Sequence, residues 1–179
     1  MPRESWVEPR SLATENGTAI VNTTTETILF PNIFVPTSFF SSGRAMRVTM
    51  YGKLSTSGTP TLKFGVRYGG VGGTLIAESE AITMGSGVTN VNWRLEVQIQ
   101  TRLNGASGSL LVFGTVFIHT ATGTVAANVF GVSGYDAPAE VTLDLTAATE
   151  LAISATWGTA HASNSITGMT QIVESLGGL

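Results

Sequence analysis

The stretch Val91-Asn-Trp-Arg-Leu-Glu-Val-Gln-Ile-Gln-Thr-Arg-Leu103 decides the fold class, because it alternates almost without fault. Trp93, Leu95, Val97, Ile99 and Leu103 point one way, and Arg94, Glu96, Gln98, Gln100 and Arg102 point the other. A period of two belongs to a β-strand with one wet face and one dry face. The same pattern continues on both sides. Met46, Val48, Met50 and Leu54 oppose Arg47, Thr49, Tyr51 and Lys53, and Leu62, Phe64, Val66 and Tyr68 oppose Lys63 and Arg67. Downstream, Val141, Leu143 and Leu145 oppose Glu140, Thr142, Asp144 and Thr146, while Leu151, Ile153, Ala155 and Trp157 oppose Ser154 and Thr156.

Strands are therefore expected at about 18–30, 44–54, 61–69, 74–82, 91–103, 109–119, 124–132, 139–146, 149–157 and 164–174. Turn signals separate them, among them Ser57-Gly-Thr-Pro60, Gly69-Gly-Val-Gly-Gly73, Gly85-Ser-Gly87, Asn104-Gly105 and Asp136-Ala-Pro138. Glycine and asparagine permit the positive φ of tight hairpins, and proline stops ladder pairing. Turns at this spacing predict an all-β, antiparallel β-sandwich of the jelly-roll type. Residues 1–17 show no period and carry three of the twelve acidic residues, two of the six prolines and Trp6. They read as an extended N-terminal arm, leaving 18–179 as a single sandwich domain.

The chain has 179 residues, enough for one domain that hides roughly 70% of its unfolded surface. Only 12% of residues are charged, about half the usual share, and mean hydropathy is +0.26. Such a surface suits a chain partly covered by copies of itself or by a partner. A net charge of −3 argues against nucleic acid as that partner. With no cysteine, neither disulfides nor thiolate chemistry is available. The charged start lacks the apolar core of a secretory signal, and no apolar run is long enough for a membrane helix. Synthesis in a cytoplasm and no membrane partner are the expectations. Asn16-Gly-Thr and Asn22-Thr-Thr then match the glycosylation pattern by chance.

Two segments break the alternation. Ser109-Leu-Leu-Val-Phe-Gly-Thr-Val-Phe-Ile118 is apolar on both faces, as is much of Ile28 to Pro36, which runs on to Phe39 and Phe40. A strand dry on both sides lies under a loop or at a subunit interface.

Reactive groups are sparse. His119 and His161 lie far apart with no His-x-His or His-x₃₋₅-His pair, short of the three or four ligands of a zinc site. No Gly-x-Ser-x-Gly elbow occurs, and the glycines at 69–73 precede a strand rather than the helix of a phosphate cradle. Glu78, Glu80 and Glu96 are the carboxylates a glycosidase would need, and they fit a solvated face equally well. Trp93 and Trp157 fall on dry faces. Tyr51 and Tyr135 are the aromatics expected at the surface, and Trp6 is either a docking anchor or folded back on its own sandwich. No cofactor, metal or enzymatic activity is expected.

Asn22-Thr-Thr-Thr-Glu-Thr-Ile-Leu-Phe30, Gly43-Arg-Ala-Met-Arg-Val-Thr-Met-Tyr-Gly-Lys-Leu-Ser55, Thr59-Pro-Thr-Leu-Lys-Phe-Gly-Val-Arg-Tyr-Gly69 and Asn92-Trp-Arg-Leu-Glu-Val97 follow in that order. Together they resemble the β-sandwich virion proteins of tailed bacteriophages, a loose group of head decoration proteins, head fibres and minor tail proteins. The likeness covers roughly residues 18–120. It implies a jelly roll, frequently trimeric, that binds and reinforces a protein shell, and it carries over no catalytic residue. The C-terminal Glu174-Ser-Leu-Gly-Gly-Leu179 departs from it and takes no role from the resemblance. The expected role is a capsid decoration (cement) protein on the head surface, a homotrimer whose partner is the major capsid protein. Arg3, Trp6, Val7 and Arg10 are then the docking residues of the arm, and Phe39, Phe40, Val112, Val116 and Ile118 those of self-association. The alternatives are a tail or baseplate component, a carbohydrate-binding or receptor-binding tip with an exposed aromatic pair beside polar groups, and an enzyme using Glu78 and Glu96.

Overall fold

A computed structural model describes residues 5–121, 123–131 and 139–178. Among these residues there is no helix, and so none long and apolar enough to cross a membrane. Among the described residues fourteen strands form two antiparallel sheets that pack face to face. The larger, sheet A, runs in the order β1 (Ser5–Leu12), β14 (Ser165–Gly178), β5 (Ala45–Ser55), β9 (Val91–Leu103), β10 (Gly108–Ala121) and β11 (Thr124–Phe130). Two short strands complete it: β2 (Ile20–Val21) beside β14, and β12 (Glu140–Leu143) beside β10. Sheet B runs β3 (Thr27–Ile28), β13 (Thr149–Trp157), β6 (Thr61–Tyr68) and β7 (Thr74–Glu78), with β4 (Ile33–Val35) on β13 and β8 (Ile82–Thr83) on β6. The chain changes sheet between β2 and β3, β4 and β5, β5 and β6, β8 and β9, β12 and β13, and β13 and β14. This is the antiparallel sandwich of jelly-roll type that the alternation predicts.

The core is the set of inward side chains from both sheets. Met46, Val48 and Met50 of β5 and Leu95, Val97 and Ile99 of β9 face Leu62, Phe64, Val66, Leu151 and Ile153 of sheet B. Trp93 and Trp157 are buried as expected, and each indole N–H reaches a carbonyl, that of Lys53 and of Ile20 respectively. Space for the largest rings comes from glycine: a Cβ on Gly114 would collide with the Phe130 ring, and one on Gly52 with Trp93.

Three expectations are corrected. The segment 18–30 is not one strand but two two-residue pieces, β2 and β3, because it crosses from sheet A to sheet B. The N-terminal stretch is extended, but it lies along β14 as the edge strand β1, with Trp6 opposite Gly177 and Leu12 opposite Ile172. It shows no period because Val7 to Leu12 are all exposed, with Pro9 and a bulge at Arg10 interrupting the ladder. Lastly, Phe39, Phe40, Val112, Val116 and Ile118 are not surface residues. All five are buried in the core of their own chain, since burial of one face of β10 and of the loop before β5 closes the sandwich.

Candidate functional site

The side of β10 opposite Val112 and Val116 is not covered. Alternation sends Phe113 and Phe117 outward, where they are 41% and 45% exposed. The neighbouring edge strand β11 adds Val125 and Val129, 52% and 61% exposed. The register builds rows across the outer face of sheet A. One runs Tyr51–Arg94–Phe117–Ala127, the next Thr49–Glu96–Thr115–Val129, and a third Arg47–Gln98–Phe113. An apolar patch of two phenylalanines and two valines thus adjoins a polar one carried by β5 and β9.

Two ion pairs lie on this face. Arg94 Nη2 meets Glu96 Oε2 at 2.6 Å, and the Arg94 guanidinium lies 5.8 Å from the Tyr51 ring centre. Arg47 donates to Glu174 of β14 at 2.7 Å, and that hydrogen bond pushes the guanidinium pKa further up. Where the patches meet, Tyr51, Asn92, Trp93, Arg94, Phe117, His119 and Val125 line a shallow depression of about 160 Å³. Where its charges are paired, as at Arg94 and Glu96, such a face can meet another surface without stranding a buried ion.

The two edges of sheet A differ in chemistry. β1 carries Glu8, Pro9, Arg10 and a bulge, devices that oppose strand addition. β11, Thr-Val-Ala-Ala-Asn-Val-Phe, has no charge and no proline. Its apolar face and its edge are contiguous, so one partner surface can cover both.

The other sequence candidates separate. Of the docking set, Arg3 lies outside the described residues, as does Tyr135; Trp6 is placed by its backbone pairing alone. Val7 is exposed, and the Arg10 guanidinium sits over the Phe39 ring, 4.5 Å from its centre. Glu78 pairs with Lys63 at 2.9 Å on sheet B, whereas Glu96 pairs with Arg94 on sheet A. The two carboxylates therefore sit on opposite faces of the sandwich and cannot act on one bond. His161 accepts from the Ser163 N–H in its own loop, while His119 joins the depression. Among the described residues no three His, Asp or Glu gather as metal ligands. The glycines at 69–73 form the β6–β7 hairpin, with Gly69 and Gly70 at φ of 99° and 77°.

The sequence reading missed an ion pair on the outer face of sheet B. Arg67 forks onto Glu26 with two hydrogen bonds of 2.8 Å, and Ser154 Oγ donates to the same carboxylate at 2.6 Å. Burial pushes the Glu26 pKa up, but the bonds from Arg67 and Ser154 outweigh it and hold the carboxyl below its ordinary value. The signal lay in Gly65, Ala152 and Ser154, small residues that leave room for a side chain to lie on the sheet.

No family model and no curated protein sequence matches the chain. Among solved structures it is similar to the CBM2 module of the evolved Dit of Lactobacillus casei BL23 phage J-1, at 12% identity and a TM-score of 0.32, over 80% of this chain and 67% of that one. It is similar to the lectin from Bauhinia forficata in complex with GalNAc at 10% identity and 0.36, over 96% and 98%. A structure from infectious bursal disease virus, Gx strain, is matched at 12% identity and 0.35, over 96% of this chain but only 32% of the viral one. Similarity at this level says nothing about what this chain binds.

Proposed function

We propose that this chain is a non-enzymatic structural virion protein that works in many copies. It is a capsid decoration protein that assembles as a trimer and stabilises the lattice of the major capsid protein. The observation that carries the reading is the exposed apolar patch of Phe113, Phe117, Val125 and Val129 on β10 and on β11, a strand without charge or proline. Isolated apolar residues on a surface need no explanation, but a contiguous patch on a rigid sheet face marks an interface. The low charge of the whole chain agrees with a molecule that spends its life covered. Stabilisation follows from linkage, because a protein that binds only the assembled lattice shifts the equilibrium towards it. Immuno-electron microscopy of purified virions tests the reading: labelled heads are expected, and particles without label contradict it.

A second reading has its own observation. Tyr51 and Phe117 flank Arg94 on the same face, with Asn92 and His119 beside them. An exposed aromatic pair next to polar groups is the arrangement expected of a receptor-binding or carbohydrate-binding tail component. Label at the tail tip, with loss of host attachment in Tyr51→Ala, supports that reading over the first.

A further inference from the structure

The outer face of sheet A is divided into three bands. Register sets Val7 opposite Leu176, Pro9 opposite Glu174 and Leu12 opposite Ile172, so β1 and β14 give this face a mainly apolar edge. Val7 and Leu12 are 55% and 63% exposed. Glu8 and Ser11 pair with the buried Ser175 and Val173 and take the opposite phase. The other edge is the patch of Phe113, Phe117, Val125 and Val129 on β10 and β11. Between the two edges, β5 and β9 carry Arg47, Lys53, Arg94, Glu96, Gln98 and Gln100.

This order is the reverse of an ordinary interface, which is apolar at its centre and polar at its rim. Two copies laid face to face about a two-fold axis would bury the charged band in the middle and leave both apolar edges at the margin. A closed ring of three uses the same face the other way. Three faces turned towards one axis touch along their side edges, so the β10–β11 edge of one copy meets the β1–β14 edge of the next. The polar band then lines a wet axis. Two different patches meeting head to tail are what a closed ring of more than two requires. Charge fits the same contact: β11 has no charged residue, and Glu174 enters the β14 edge already bonded to Arg47.

Size favours closure. At about 4.8 Å between strands and about 3.3 Å per residue, two strands over the length of β11 offer roughly 220 Å². One contact, counted on both partners, is on the order of 400 Å², the scale of crystal packing. Three such contacts come to on the order of 1,300 Å², within the about 1,200–2,000 Å² of a stable complex.

We propose that the trimer is a head-to-tail ring in which the Phe113–Phe117 patch of each copy packs on Val7, Leu12, Ile172 and Leu176 of the next. The inference rests on the trimer proposed above and supplies the second half of its interface. Because one contact alone is small, breaking either edge opens the whole ring.

The chain has no cysteine, so engineered thiols report the contact directly. Val7 and Ala127 are exposed, one on each edge, and within one chain they stand five strand spacings apart, about 24 Å. The variant carrying both Val7→Cys and Ala127→Cys, treated with a short bismaleimide, should form a covalent trimer. Either single variant should cross-link at least tenfold less. Val7→Ser with Leu12→Ser should lower the light-scattering mass from three chains to one. A covalent dimer from either single variant overturns the proposal, because it shows a patch meeting its own copy. A wild-type trimer also overturns it if the two-thiol variant stays uncross-linked, or if the mass survives the loss of Val7 and Leu12; the trimer itself then stands. A monomeric wild type removes the trimer and this contact together.

Discussion

Val112 and Phe113 are consecutive on β10 and face opposite ways, Val112 wholly buried in the core and Phe113 41% exposed beside β11. The pair divides the roles of one apolar strand. Val112 and its in-phase neighbours Val116 and Ile118 hold the sandwich together, while Phe113 and Phe117 stand exposed on its outer face. Ile118→Ala should therefore cost about 2–5 kcal/mol, the range for emptying a buried position. Phe113→Ser should change stability by no more than about 0.5 kcal/mol, as for surface sites. Urea denaturation of both variants measures the difference.

How much of this was legible in the sequence follows from where each residue sits. Alternation reveals strands, and β9 and β13 are readable to the residue because large apolar side chains alternate there with small or polar ones. Alternation cannot say which face of a doubly apolar strand is inward, so β10 was recognised and its surface residues were misassigned by one position. β1 was invisible for the opposite reason, since an edge strand wet on both sides has no period. The outer-face rows and the cleft depend on register and on which elements stand apart, and neither is written in any local pattern.

Gly114 and Phe130 fill one volume between them. Gly114→Ala would place a methyl group in the Phe130 ring, and overpacking of this kind costs about 1–3 kcal/mol. The double variant Gly114→Ala with Phe130→Leu should recover part of the loss. Equal destabilisation of the single and double variants in thermal denaturation would contradict that packing.

Glu26 links stability to pH. Its folded pKa is held below the ordinary carboxylate value, so its contribution is present above the unfolded pKa near about 4.3 and is lost as pH falls through the folded pKa. Glu26→Gln should lower stability at neutral pH by about 1–3 kcal/mol, the worth of charge-assisted bonds to Arg67. The same change should flatten the acid limb of the stability curve below about pH 4. An acid limb of unchanged slope in the variant counts against the ion pair.

The edges of sheet A should respond unequally to charge. Ala127 is exposed on β11, and Ala127→Lys places the residue that natural edge strands use against pairing in the middle of an uncharged edge. Self-association should fall with stability nearly unchanged. Ser11→Lys on the already protected β1 should leave assembly as it was. Sedimentation velocity of the two variants separates them.

The measurement closest to the central claim is the solution mass by light scattering of the wild type and of Phe113→Ser with Phe117→Ser. A wild-type mass three times the 18.7 kDa chain is expected, falling to that of a single chain in the double variant with its thermal midpoint retained. A wild type that is monomeric at every concentration, or a double variant that keeps its trimer, would contradict it.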